Sequence, residues 1–179
     1  MGIAFSILVA VIILIALLLI FALFLEKEYS INKEIIINKP VSEVFAYLKH
    51  IKNQDYFSKW VMTDPKMEKK YKGIDGTVGF VYAWDSKNKK AGAGEQEIIK
   101  IEEDRIIDIE VRFIRPFAGI SYTPFRTAFI SEDQTKVIWG IRNKMKYPMN
   151  LMVFVFNMKK ILGKDIEISL GNLKTILEN

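Results

Sequence analysis

The chain has 179 residues, no cysteine and one histidine, and 26 basic against 21 acidic side chains give it a formal net charge of +5. Without cysteine it has no thiol nucleophile, disulfide or thiolate-bound metal, and one histidine rules out a multi-histidine metal site. No charged side chain precedes Glu26, so the 50% hydrophobic content reflects an apolar leader at 1–26 followed by 27–179, one ordinary domain's worth of chain.

From Ile3 to Leu25 the only polar side chain is Ser6. At about 1.5 Å per residue such a helix covers about 34 Å, enough for a hydrocarbon core of about 30 Å. A cleaved signal peptide needs a basic start, a shorter apolar core and a small-x-small cleavage site, and Leu25-Glu26-Lys27 supplies none. The expectation is therefore an uncleaved, single-pass membrane helix. Lys27, Lys33 and Lys39 follow it closely, which by the positive-inside rule favours a cytoplasmic position for 27–179.

Tyr29–Asn38 is rich in β-branched residues and stops before Pro40, predicting a strand. Val41, Val44, Phe45 and Leu48 then follow helical spacing, predicting a helix over Pro40–Ile51, with a second short helix near Asn53–Lys59. Alternating segments predict strands at Met67–Tyr71, Thr77–Asp85, Gly92–Ile101, Arg105–Ile114, Ser121–Ser131 and Thr135–Lys146. Pro124 marks an edge or a bulge in the fifth of these. Pro148–Leu177 reads as one long helix whose apolar stripe runs through Leu151, Val155, Met158, Leu162, Ile166, Ser169, Leu173 and Ile176. The expected fold class is α+β, a curved antiparallel sheet wrapped on a long C-terminal helix.

On these residues the chain resembles the START-like, or SRPBCC, superfamily. The carriers are EKEYSINKEIIINKPVSEVFAYLKHIKNQDYFSKW, with Pro40, Val44 and Phe45 matching the family's Pro-x-x-x-Val-Phe/Trp helix, and the later GIDGTVGFVYAWDS, GAGEQEIIKIEEDRIIDIEVRF and KYPMNLM. These pieces look like the polyketide cyclase/dehydrase-like branch, which includes members with one N-terminal membrane helix. The resemblance spans about residues 28–178. It implies a helix-grip (Bet v 1-like) fold with a hydrophobic cavity, and no particular chemistry, because fold does not fix function.

Trp60, Phe80, Tyr82, Trp84, Phe113, Phe125, Trp139 and Met158 are the candidate lining of that cavity, for a hydrophobic small molecule or lipid. Packed core is the competing reading for each of them. Glu95 and Glu97 share an alternation with Ile99 and Ile101, and an inward-facing pair would have raised pKa values suited to acid–base work on an apolar substrate. Their alternative is a solvated or ion-paired position, with Arg112 and Arg126 as partners. His50 falls where a cation complements a helix C-terminus. The lysine clusters at 66–72, 87–90 and 159–164 suit either solvation or anionic headgroups. The basic residues are interleaved with acids and no recognised nucleic-acid motif occurs, so no nucleic acid, cofactor or metal is expected. The expected function is membrane-tethered ligand binding; a cyclase-like enzyme and a ligand-free interaction module are the alternatives.

Overall fold

The structure, a computed structural model, describes residues 2–179. Helix α1 (Ile3–Phe24) is long and apolar enough to span a membrane. Its side chains are uncovered almost throughout; only Ala22, in the last turn, is buried. Strand β1 (Glu28–Ile37) turns Tyr29, Ile31 and Ile37 inward. Helix α2 (Val41–Lys49) starts at Pro40 and buries Val44, Phe45 and Leu48, as its periodicity requires. The second expected helix is two separate turns, α3 (Gln54–Phe57) and α4 (Lys59–Met62), because Ser58 between them is extended. The Asp75 carboxylate accepts the Ile51 N–H at 2.9 Å and so fixes the turn after α2.

The remaining strands are β2 (Glu68–Lys72), β3 (Val81–Asp85), β4 (Ala93–Glu102), β5 (Ile106–Arg115), β6 (Gly119–Tyr122), β7 (Phe125–Ser131) and β8 (Gln134–Lys144). All pairings are antiparallel, in the order β1-β8-β6-β5-β4-β3-β2, with β7 on β5 and β8. The strand expected over Ser121–Ser131 is thus two strands. Pro124 separates them, since proline has no N–H to give a ladder; its carbonyl instead accepts the Gly140 N–H at 2.8 Å. The strand expected from Thr77 forms only from Val81.

The C-terminal segment is two helices, α5 (Asn150–Val155) and α6 (Met158–Glu178), rather than one. Asn157 breaks it with left-handed backbone at φ 48°, a conformation asparagine adopts more readily than most residues. The apolar stripe holds in α6, where Ile166, Ser169, Leu170, Leu173 and Leu177 are buried, but Val155 is exposed. Ser169, the one hydroxyl in the stripe, accepts the Lys59 N–H at 2.9 Å, and Asn172 donates to the Phe57 carbonyl at 3.2 Å. These bonds stitch α6 to α3 and α4 over the concave face of the sheet.

Candidate functional site

Alternation along each strand sends one set of side chains to the concave face and the other to the convex face. The register then sorts the concave set into rows. At the deepest candidate level, Phe125 and Trp139 face each other across β7 and β8, stacked at 4.5 Å between ring centroids. Phe57 meets Trp139 edge-on at 5.9 Å and Trp60 meets it at 5.5 Å. Phe80, Tyr82, Phe125 and Trp139 keep 2% or less of their surface. These four are packed against neighbours on all sides, so the hollow expected behind them is filled, and by aromatic side chains from α3 and α4 as much as from the sheet. Burial of each such ring stabilises the fold by roughly 1.5–3 kcal/mol. The Trp139 Nε1–H nevertheless has no hydrogen-bond partner among the described residues.

Two same-face positions along the strands from Phe125 and Trp139, beyond the Ile31, Ile141, Ile109 and Ile98 level, Tyr82, Gln96, Val111, Ser121, Asn143 and Tyr29 form a row. It is unusually polar for a concave face. The Tyr82 hydroxyl donates to Asp55 of α3 at 2.8 Å, and Lys69 donates to the other oxygen of that carboxylate at 2.7 Å. Burial first, and then Asp55, pushes the Tyr82 phenol well above its ordinary range. Asn143 donates to the Tyr29 hydroxyl at 3.3 Å, Gln96 donates to Gln54 at 3.3 Å, and burial raises the Tyr29 phenol.

The outermost row contains Trp84, Gly94, Phe113 and Gly119. The Trp84 ring lies over Gly94 and meets Phe113 edge-on at 6.1 Å. Phe113 is 37% exposed although it points to the concave side. A side chain added at Gly119 would enter open space. The Met145 N–H, one step beyond Asn143 on this row, donates to the Lys27 carbonyl at 2.7 Å. The loosely packed end of the concave face is therefore the end at which the chain leaves α1. Met158 and Leu162, at the start of α6, are half-buried at the same end, where Lys159 pairs with Glu26.

Glu95 and Glu97 are on the convex face. The register slips by one between Ile98 and Lys100, so Ile101 turns inward while both glutamates turn outward. There, Arg112 donates to Glu95, Glu97 and Glu110, each at 2.7 Å. The three carboxylates, Glu97 foremost, hold the guanidinium well above its usual range. The alternation alone did not register the bulge at Ile99, and the inward position it allowed is not the one these carboxylates take. Arg126 is 3.8 Å from Asp108 on the same convex side, and His50 is half-exposed, 3.7 Å from Asp75. An open crevice of about 450 Å³ between α1 and β1 is lined by Leu25, Glu26, Lys27, Glu28 and Lys144.

Tyr29, Gln96, Ser121 and Asn143 were not singled out from the sequence. Each lies on an inward alternation position, but polar residues there read as solvent-facing until the strand register is known.

No protein-family model and no curated protein matches the chain. Solved structures do. Norcoclaurine synthase from Thalictrum flavum, solved with dopamine and hydroxybenzaldehyde, superposes at a TM-score of 0.65 with 8% identity, covering 84% of this chain and 86% of that one. The Aha1 dimer from Colwellia psychrerythraea gives 0.58 at 15% identity, over 84% and 96% of the two chains. CalU16 from Micromonospora echinospora gives 0.54 at 16%, over 83% and 73%. The fold is START/SRPBCC-like, the Bet v 1-like helix grip, carried here behind an apolar N-terminal helix. At these identities the likeness shows the fold alone.

Proposed function

We propose that this chain is a membrane-tethered domain that binds a hydrophobic small molecule or lipid at the open end of its helix grip. The single observation that carries the reading is the coincidence of two features at one end of the sheet. The Trp84–Phe113 row, with open space at Gly119, shares that end with the exit of α1. An apolar ligand leaving the bilayer there crosses little water. Behind the mouth, the row of Tyr29, Gln96, Ser121 and Asn143 offers the few polar groups that orient a ligand in an apolar site. Bet v 1-like folds are consistent with ligand binding, and the norcoclaurine synthase complex with dopamine and hydroxybenzaldehyde is one such case. Lys27, Lys33 and Lys39, which follow α1 closely in the chain, support the cytoplasmic side for the folded part.

The full chain, purified in nanodiscs, is extracted and its organic-soluble content identified by mass spectrometry. We expect an apolar compound in stoichiometric amount that is absent from empty nanodiscs. Gly119→Trp, which places an indole in the open space, should abolish its retention while leaving the circular dichroism spectrum unchanged. If neither the wild type nor Gly119→Trp retains a compound above the empty-nanodisc level, the reading fails. The rival of a solid interaction domain draws on the Phe57–Trp139–Phe125 packing, and it is the reading such a result would favour.

A further inference from the structure

Helix α5 packs on the domain by one side only. It buries Asn150 and half-buries Leu151, Met152 and Val153, the last against the core, while Phe154, Val155 and the following Phe156 are 63%, 58% and 54% exposed. Such a consecutive apolar run facing water is an unfavourable surface for a monomeric domain.

Its position supplies the missing partner. The Asn150 side-chain amide is buried and donates to the Ala22 carbonyl at 2.7 Å and the Leu25 carbonyl at 3.3 Å. It thereby satisfies carbonyls that the end of α1 leaves without helical partners. The Phe154 ring meets Phe21 edge-on at 5.5 Å between centroids. Phe21 is three residues before the end of α1, about 4.5 Å inside the apolar stretch at helical rise. Phe154 therefore lies at the depth of the last turn of α1, not beyond it. Around this point the chain carries Lys27, Lys144, Lys146, Lys159 and Lys160 against Glu26 and Glu28. Lys144 pairs with Glu28 and Lys159 with Glu26, which leaves an excess of positive charge.

We infer that α5 and Phe156 form a second membrane contact: an interfacial wedge seated in the headgroup–acyl boundary of an anionic bilayer beside α1, with the surrounding lysines directed at lipid phosphates. This rests on the reading of α1 as a membrane span. Two contacts side by side fix the tilt of the domain, where one flexible tether would not, and they hold the Trp84–Phe113 end towards the lipid.

The chain has no cysteine, so single nitroxide labels can be placed without background. Leu14→Cys, Val155→Cys and Phe129→Cys label the middle of α1, the wedge, and a β7 side chain that is 66% exposed, respectively. Each full-length variant is reconstituted into vesicles of phosphatidylcholine and phosphatidylglycerol, and its collision with oxygen is compared with its collision with a water-soluble nickel chelate by electron paramagnetic resonance. The expected oxygen-to-nickel ratio at 155 is several-fold above that at 129 and below that at 14, as an interfacial depth requires. It should fall when phosphatidylglycerol is omitted. A water-like ratio at 155 with a lipid-like ratio at 14 overturns the wedge and leaves the tether standing. Water-like ratios at both positions overturn the tether itself. A ratio at 155 indifferent to phosphatidylglycerol overturns the role given to the lysines.

Discussion

Tyr82 shows how one side chain can hold a fold's pH limit. Its hydroxyl is buried and donates to a carboxylate that Lys69 also engages. Ionising it would place a phenolate in an apolar setting beside Asp55, so the folded state keeps the proton beyond the ordinary value of 10.0. The unfolded chain releases it near that value and so binds fewer protons than the folded state above it. The linked stability is whole below the unfolded value and is lost as pH rises above it. Thermal melts should therefore fall steeply in the alkaline range. Tyr82→Phe should cost about 1.5–2 kcal/mol at neutral pH, the worth of a hydrogen bond to a charged group, and should flatten the alkaline fall. Melts of the two proteins from pH 7 to 11 check both parts.

Between strands β3 and β4, the hairpin that carries Trp84 closes through Gly92. Its N–H donates to Asn88, its carbonyl accepts from Ser86, and its φ is +62°. A Cβ there would come within 2.2 Å of the Arg115 carbonyl oxygen, a backbone atom of the neighbouring strand that cannot swing away. Gly92→Ala thus combines left-handed strain with a backbone clash and should cost about 2–3 kcal/mol, read as a lower urea midpoint. Trp84 donates from its indole to the Ala91 carbonyl at 3.1 Å, so its fluorescence should report the same distortion locally. The elements themselves follow from local pattern with few exceptions: Ser58 splits a helix, Pro124 splits a strand, and Asn157 splits the C-terminal helix. Serine and asparagine favour caps and turns, but neither forces a break as proline does, and only their backbone angles here reveal it.

Across the whole molecule, α6, the sheet and the short helices meet at Phe57. It touches Phe125 and Trp139, its carbonyl accepts from Asn172, and Tyr47 of α2 lies 6.3 Å away between centroids. Removing its ring opens a cavity shared by every layer. Phe57→Ala should lower global stability by about 3–5 kcal/mol, seen as one cooperative shift in urea unfolding followed by circular dichroism. A split transition would show that the sheet and α6 are coupled elsewhere. Helix α1 lies outside this core. Apart from Ala22 and its contacts with α5, its apolar side chains are exposed, so removing it should leave the packing around Phe57 intact.

The linear pattern determined the apolar leader, the strand–helix–sheet–helix order, and which residues alternate inward along β3, β5 and β8. Those depend on side-chain periodicity and backbone propensity, which are local. What occupies the interior was decided in three dimensions. Trp60 and Phe57 arrive from short turns and fill space that periodicity leaves blank. One extra residue at Ile99 turns Glu95 and Glu97 to the convex face, into the grip of Arg112. The meeting of α5 with the end of α1 joins residues 21 and 154, and no pattern in the sequence ties such distant side chains together, because contact across that separation is set by the register of the whole sheet.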